Sequence, residues 1–313
     1  MGKKFAGQMD TEKAEAVEQR AYRFEGFPSQ GQAHLLSQFI GSARFLWNRM
    51  LADWKDSYKE TGKSAPVRTP ASYKEDPDLA WLKGMDSLAL ANVQQNFQRA
   101  VKEFFSGEKG CPRFKKKHAC PDTYTTNLSN RDKPNLRLSG CLLKLPKIRE
   151  PIRLRVHRKI REGGLLKNCT VTREPDGRWY FSLLFEYPKQ ELPKKAAGKG
   201  PGSWEAIGLD MSLPELYVDS DSSTPAYLKP YRKLERKIAQ EQRKLSRMEK
   251  DSRNYTKQLG KIAKLHAKAK HQRADFLHKL LYRLTSHYDI ICIEDLDMAA
   301  MKKALSFIVA AMA

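Results

Sequence analysis

The 313-residue chain has five cysteines, Cys111, Cys120, Cys141, Cys169 and Cys292, and no Cys-x-x-Cys pair. That spacing excludes a disulfide framework and a zinc ribbon, and the thiols are expected to be reduced and buried. Long apolar runs are missing too: no stretch approaches the roughly 18 residues of a membrane span. The start, MGKKFAGQMDTEKAEAVEQ, lacks the apolar region of a signal peptide, so a secreted or membrane-spanning chain is not expected. Acidic residues are scarce, 36 against 58 Lys+Arg, for a formal charge of +22. What is present is a 40% apolar content, enough to bury a core and to exclude wholesale disorder. The length allows one large or two ordinary domains.

The positive charge is concentrated. Residues 109–163 carry 16 Lys+Arg and 4 Asp+Glu, residues 229–273 carry the same balance, and the rest of the chain is close to neutral. Two blocks of net +12 on a neutral body suit polyanion grooves, because Lys and Arg gain affinity by displacing phosphate counterions. Solvated faces would have the same composition. The cations in view are Arg113, Lys115, Lys116, Lys117, Arg153 and Arg155 in the first block. The second supplies Lys233, Arg236, Lys237, Arg243, Lys244 and Arg247.

Aromatic and polar residues alternate over 20–28, a short strand that stops at Pro28, and Ser29 is placed to cap the segment after it. From Gln32 to Lys55 apolar residues recur at helical spacing. Residues 59–80, polar and with three prolines, predict a loop or broken helix; Ser87 then begins a second amphipathic helix that Gly107 ends. Segments 135–145 and 150–160 alternate, with Ile152, Leu154 and Val156 on one side and Arg153 and Arg155 on the other. Residues 167–187 predict a hairpin about Pro175-Asp176-Gly177. A nucleic-acid platform alternates in this way, and so does any antiparallel sheet with one wet face.

The Gly-, Pro- and Lys-rich stretch 192–203 marks a boundary. Beyond it, Ala206–Asp210 reads as a buried strand ending in a carboxylate, with Leu216-Tyr217-Val218 as its antiparallel return. Residues 227–287 are helical by spacing, broken near Asp251–Asn254 into two antiparallel helices, or else one long coiled coil. Ile290–Ile293 reads as a second buried strand, which also ends in a carboxylate, Glu294. If the strands are neighbours, Asp210 and Glu294 project from one sheet edge. Two such carboxylates suit Mg²⁺, which prefers oxygen ligands, in a two-metal phosphodiester site. Acids also follow strands simply as turn formers.

Six segments together resemble the TnpB (OrfB) proteins of insertion sequences, a family of RNA-guided DNA nucleases related to type V CRISPR effectors. They are Tyr22-Arg23-Phe24 with Phe27-Pro28-Ser29 and Gln32, Arg44-Phe45-Leu46-Trp47-Asn48, and Gly110-Cys111-Pro112-Arg113-Phe114-Lys115-Lys116-Lys117. The others are Ile207-Gly208-Leu209-Asp210, Arg273 to Leu280, and Ile293-Glu294-Asp295-Leu296. The resemblance implies an α+β, multi-domain protein. A polar N-terminal extension (1–19) precedes a β-barrel wedge domain (20–30 and 109–191) that holds an inserted helical recognition lobe (31–108). A linker (192–203) leads to an incomplete RuvC-like, RNase H-fold domain (204–313). It implies Asp210 and Glu294 as catalytic metal ligands for Mg²⁺, guide RNA and DNA as partners, and a cytoplasmic, nucleoid-associated location.

The chain departs from that family in two places. A zinc ribbon and a third strand-borne aspartate should follow the second motif, but only nineteen residues follow Glu294, ending in the uncharged run 305–313, with no zinc ligands among them. Asp295 and Asp297 sit beside Glu294 and are poor substitutes. Ser212 stands where the family usually has glycine. The expectation is a C-terminally truncated transposon protein, weakly active or inactive as a DNA endonuclease. The alternative is a nuclease-dead, RNA-guided DNA-binding regulator.

Overall fold

The computed structural model describes residues 17–189 and 204–297, apart from 63, 65, 118–120, 131, 213, 214 and 228. The 192–203 linker, the 305–313 run and Cys120 lie outside the described residues. The chain divides into two compact units, Met1–Gln190 and Glu191–Ala313.

In the first unit, strand β1 (Val17–Phe27) leads through Pro28 into helix α1 (Gln30–Thr61). Ser29 and Gln32 form a reciprocal capping box: the Gln32 N–H donates to Ser29 Oγ, and the Ser29 N–H donates to Gln32 Oε1. The same Gln32 donates through Nε2 to Glu150 O, tying the helix start to the chain just before β5. Gly62, at φ 66°, ends α1 in the left-handed conformation that glycine adopts without a Cβ penalty. The proline-containing stretch then forms a short helix α2 (Pro70–Lys74) and a 3-10 segment (Pro77–Gly84), followed by α3 (Ser87–Phe105) capped by Asp86.

Six further strands complete an all-antiparallel sheet: β2 (Asp122–Asn127), β3 (Arg137–Ser139), β4 (Leu142–Lys144), β5 (Ile152–Arg155), β6 (Leu165–Arg173) and β7 (Trp179–Pro188). The order is β2-β6-β7-β1-β5-β4-β3. β2 and β3 are therefore edges, and the sheet is an open, curled half-barrel rather than the closed barrel expected. Closure would need those edges to pair; instead the first turns of α1 (Leu36, Phe39, Ile40, Ala43) share the sheet's core. The later turns of α1, from Leu46 to Trp54, pack with α3, Tyr73, Leu79 and Leu82 in a second cluster. β5 ends at Arg155, which leaves Val156 36% exposed instead of inward with Ile152 and Leu154.

β1 can pair with both β7 and β5 because Gly26 lies at their junction, opposite Trp179 on one side and Leu154 on the other. A Cβ there would lie inside the Phe181 ring edge and 2.9 Å from Leu154 Cδ2. Cys169 and Tyr124 are buried in the same core, and desolvation raises both pKa values above their ordinary 9.0 and 10.0. Of the other cysteines, Cys111, Cys141 and Cys292 are exposed, against expectation, because each lies at a strand edge or in a loop.

In the second unit, β8 (Ala206–Ser212) pairs antiparallel with β9 (Leu216–Asp219) and parallel with β10 (Ile290–Ile293). Helices α4 (Pro230–Ser246) and α5 (Arg253–His287) form an antiparallel pair between β9 and β10, so the coiled-coil alternative falls. Buried Gln258 joins them, donating to Glu241 O at 3.0 Å and Glu241 Oε2 at 2.7 Å. Leu259 is 44% exposed, because Gln258 and Ile262 hold the inward face of that turn. No helix of the described residues is long and apolar enough to cross a membrane.

The packing of the first unit makes two outcomes measurable. Gly26→Ala overpacks Phe181 and Leu154 and lowers stability by about 1–3 kcal/mol, read from the denaturant midpoint at unchanged slope. Because the folded-state pKa values of Cys169 and Tyr124 are raised, their stabilising contribution is complete below pH 9 and falls as pH rises through the folded values. Melting temperature therefore drops above pH 9, and less steeply in Cys169→Ala.

Candidate metal site and nucleic-acid surface

The parallel register pairs Ile291 with Ile207, Cys292 with Gly208 and Ile293 with Leu209. Asp210 and Glu294 are the next residues on the two chains, so the register carried one step further sets them at the same position, on one face. β8 runs on to Ser212, so Asp210 lies within its strand instead of ending it, whereas Glu294 does follow the last residue of β10. Both acids are exposed and line an open cleft of about 510 Å³ with Gly208, Val218, Ser220 and Cys292. The other face carries Ile207, Tyr217 and Asp219, which line a second cleft with Phe276 and Leu280 of α5.

Oxygen donors on an open face fit Mg²⁺, which binds through one or two carboxylates and keeps several waters. Among the described residues no group of three His, Cys, Asp or Glu could hold a metal ion. Asp219, also at the edge of the first cleft, is not a third ligand. It pairs with Leu209, which puts its side chain on the face opposite Asp210. Its carboxylate also closes the 219–223 turn, accepting from the Ser223 N–H at 2.7 Å, the Ser223 hydroxyl and the Asp221 N–H. Those bonds, the Ser223 hydroxyl first, hold its pKa below the usual range. Leu216, opening β9, has φ 86°, a strained value for a branched side chain in the turn that Ser212 enters.

The twelve candidate cations divide into engaged and unengaged groups. Arg155 pairs with Glu25 at 2.9 Å, and both Arg153 and Arg155 lie over the Phe27 ring. The ammonium of Lys115 sits 3.9 Å over the Trp47 ring. Lys244 pairs with Glu241 at 2.7 Å. Arg113, Lys116, Lys117, Lys233, Arg236, Lys237, Arg243 and Arg247 are exposed and make no ion pair among the described residues. On α4 the spacing 233, 236/237, 243/244, 247 forms one stripe, about 21 Å long at 1.5 Å per residue. It runs away from the inward face of Leu234, Ile238 and Leu245.

Sequence reasoning missed what holds the first basic segment. Arg44, Trp47 and Asn48, at i, i+3 and i+4 on α1, face it together. Arg44 pairs with Asp122 at 3.0 Å, at the start of β2. Trp47 Nε1 donates to Arg113 O, and Asn48 both donates to Lys115 O and accepts from Lys115 N. The signal was present as two separate motifs; their contact is not written in either.

A family model described as "Probable transposase" (OrfB of IS605) matches residues 186–305, a span that contains both acids. One described as "Helix-turn-helix domain" matches residues 18–63. Here that span is a strand and one unbroken 32-residue helix. "Putative RNA-guided DNA endonuclease InsQ" of Escherichia coli (strain K12) is 30% identical over 289 residues, covering 91% of this chain and 68% of that protein. The chain belongs to the OrfB/TnpB family. A second family relative, "Putative RNA-guided DNA endonuclease" of Streptomyces pristinaespiralis, is also 30% identical, over 290 residues, with the same coverage.

Among solved structures, a CRISPR-Cas12f ternary complex overlays this OrfB/TnpB chain with a TM-score of 0.36 at 14% identity. It covers 86% of this chain and 64% of that one. A Cas12f1–sgRNA–target DNA complex gives 0.32 at 12% identity, covering 91% and 75%. At those scores the likeness carries no further weight.

The division of cations has a direct readout in binding to single-stranded RNA as a polyanion. Arg155→Ala, whose charge Glu25 already balances, leaves the slope of log K against log salt unchanged. The double variant Arg236→Ala/Lys237→Ala lowers that slope by about 0.7 for each phosphate that the protein no longer neutralises.

Proposed function

We propose that this OrfB/TnpB protein is an RNA-guided, Mg²⁺-dependent DNA endonuclease of an insertion sequence, with Asp210 and Glu294 as its metal-binding carboxylates. The observation that carries this reading is the β8–β10 register, which sets Asp210 beside Glu294 on an open face. A Mg²⁺ ion held there supplies positive charge beside a scissile phosphate. The chain's own part is to fix the two carboxylates on paired strands and to leave the cleft open to a strand of DNA. Guide RNA and heteroduplex are held through phosphates and A-form shape, sequence being delegated to base pairing. The unengaged cations of residues 113–117 and of the α4 stripe are the contacts that suit this.

Among the described residues two carboxylates converge on the cleft and no third joins them. Each positioned electrostatic group of such a site is worth about 10²–10³ in rate, so slow cleavage is the expectation for a site of two. The same observation favours the second reading, an RNA-guided DNA-binding regulator without nuclease activity.

The test uses purified protein, the RNA that copurifies with it, a matching DNA duplex and Mg²⁺. Asp210→Asn and Glu294→Gln each abolish whatever cleavage is present and weaken Mg²⁺ binding measured by calorimetry, while DNA binding stays within about twofold. Cleavage that survives both substitutions would place the chemistry elsewhere and sink the assignment. Guided DNA binding with no detectable cleavage in the unmodified chain selects the regulator.

A further inference from the structure

The basic segment 111–117 belongs to no helix or strand, and among the described residues its backbone makes no hydrogen bond to another backbone group. Four cations stand within five residues there, Arg113 and Lys115 to Lys117, so mutual repulsion favours a spread of conformations. Its shape is nevertheless held from α1. Asn48 Nδ2 donates to Lys115 O at 2.9 Å, and Asn48 Oδ1 accepts from Lys115 N at 2.7 Å. One side-chain amide thus engages both backbone groups of one residue, as a neighbouring strand would. One residue earlier on α1, Trp47 Nε1 donates to Arg113 O at 3.0 Å, and its ring lies under the Lys115 ammonium. Pro112 is buried, and Lys55 lies 5.0 Å over the Phe114 ring.

We propose that Asn48, assisted by Trp47, is a positioning residue for RNA binding: it holds segment 111–117 in one shape, so that Arg113, Lys116 and Lys117 meet phosphates already ordered. This rests on the reading of that segment as a phosphate-binding surface. Asn48 itself touches no phosphate, since both of its polar atoms are committed to Lys115. A loop ordered before it binds loses less entropy on binding than one ordered by its ligand. The number of phosphates neutralised, which sets the salt slope, depends on the cations alone. Affinity and salt slope therefore separate the clamp from the charges it presents.

The experiment uses the full chain and labelled poly(U) RNA as probe, with three readouts: affinity at fixed salt, the salt slope, and tryptic cleavage at Lys115–Lys117. Asn48→Ala is expected to weaken binding about tenfold with the slope unchanged, and to speed cleavage at those lysines. Asn48→Gln, which keeps both amide groups on a longer stem, recovers part of the affinity. Lys116→Ala/Lys117→Ala changes the slope instead. If Asn48→Ala lacks a cooperative melt, Trp47→Phe, which removes the bond to Arg113 O with a modest loss of packing against Phe97 and keeps a ring under Lys115, carries the same expectations at a smaller size. Faster cleavage in Asn48→Ala with unchanged poly(U) affinity would overturn the inference, as would a change in its salt slope. Unchanged slope in the double lysine variant would instead remove the phosphate-surface reading, and the clamp with it.

Discussion

Parallel strands cannot be joined by a tight turn; the chain must leave the sheet and return from the same end, and that requirement shapes the second unit. β8 and β10 are parallel, and the α4–α5 pair between β9 and β10 is the excursion that makes their pairing possible. The same pairing fixes the register that sets Asp210 and Glu294 side by side. It also brings two basic helices, α4 and α5, into the connection between the two acid-bearing strands. Acids on a sheet and cations on its crossover are thus consequences of one topological constraint. On the proposed reading, a polyanion and the cation that screens it would be served by one connected piece of chain.

Net charge overstates what the first unit offers a polyanion. Much of its basic character is spent within the sheet: Arg23 pairs with Glu174, Arg161 with Glu18, Lys167 with Glu186, and Arg155 and Arg178 with Glu25. Arg23, Arg158 and Arg161 also lie over Tyr180, Tyr22 and Tyr187. Exposed pairs of this kind add little stability each, but they lower the field above the sheet. Among the described residues, Arg113, Lys116 and Lys117 stand together without an ion pair, and so do the cations of the outward α4 stripe other than Lys244.

Local pattern carried the sequence reading wherever a residue's fate is decided by its neighbours in the chain. The strands at 206–209 and 290–293, the Pro-Asp-Gly turn and the Ser29 cap are such cases, and each is found where the pattern put it. Both strands are nevertheless less buried than expected: Ile207 is inside, Cys292 and Ile293 are exposed. Failures come where a distant partner decides. Val156 continues an alternation, but β5 has no partner strand beyond Arg155, so it turns outward. The barrel expected from family resemblance stays open because helix α1, not a strand pairing, completes its core. Asp210 lies inside its strand because β9 pairs as far as Ser212. Asn48 was visible only as a motif letter: its partner is 67 residues away, and it is a backbone, which carries no sequence signal at all.

Among the described residues the two units also differ in apolar burial, and the candidate metal site lies in the one with less. The half-barrel buries large side chains on one continuous core, whereas the three-stranded sheet of the second unit buries Ile207 and leaves Ile293 74% exposed. On α5, Leu281 and Tyr282 are 57% and 74% exposed. A sheet of three short strands, covered on one face by a helix, has little apolar burial to hold its register. Two carboxylates at one position of a parallel pair repel, and that repulsion acts against the register that brings them together. On the proposed reading, a cation held between them would reverse that sign. Binding the paired strands and not the separated ones, it would stabilise their pairing by RT ln(1 + [L]/Kd). Holding the metal and holding the strands in register would then be one equilibrium.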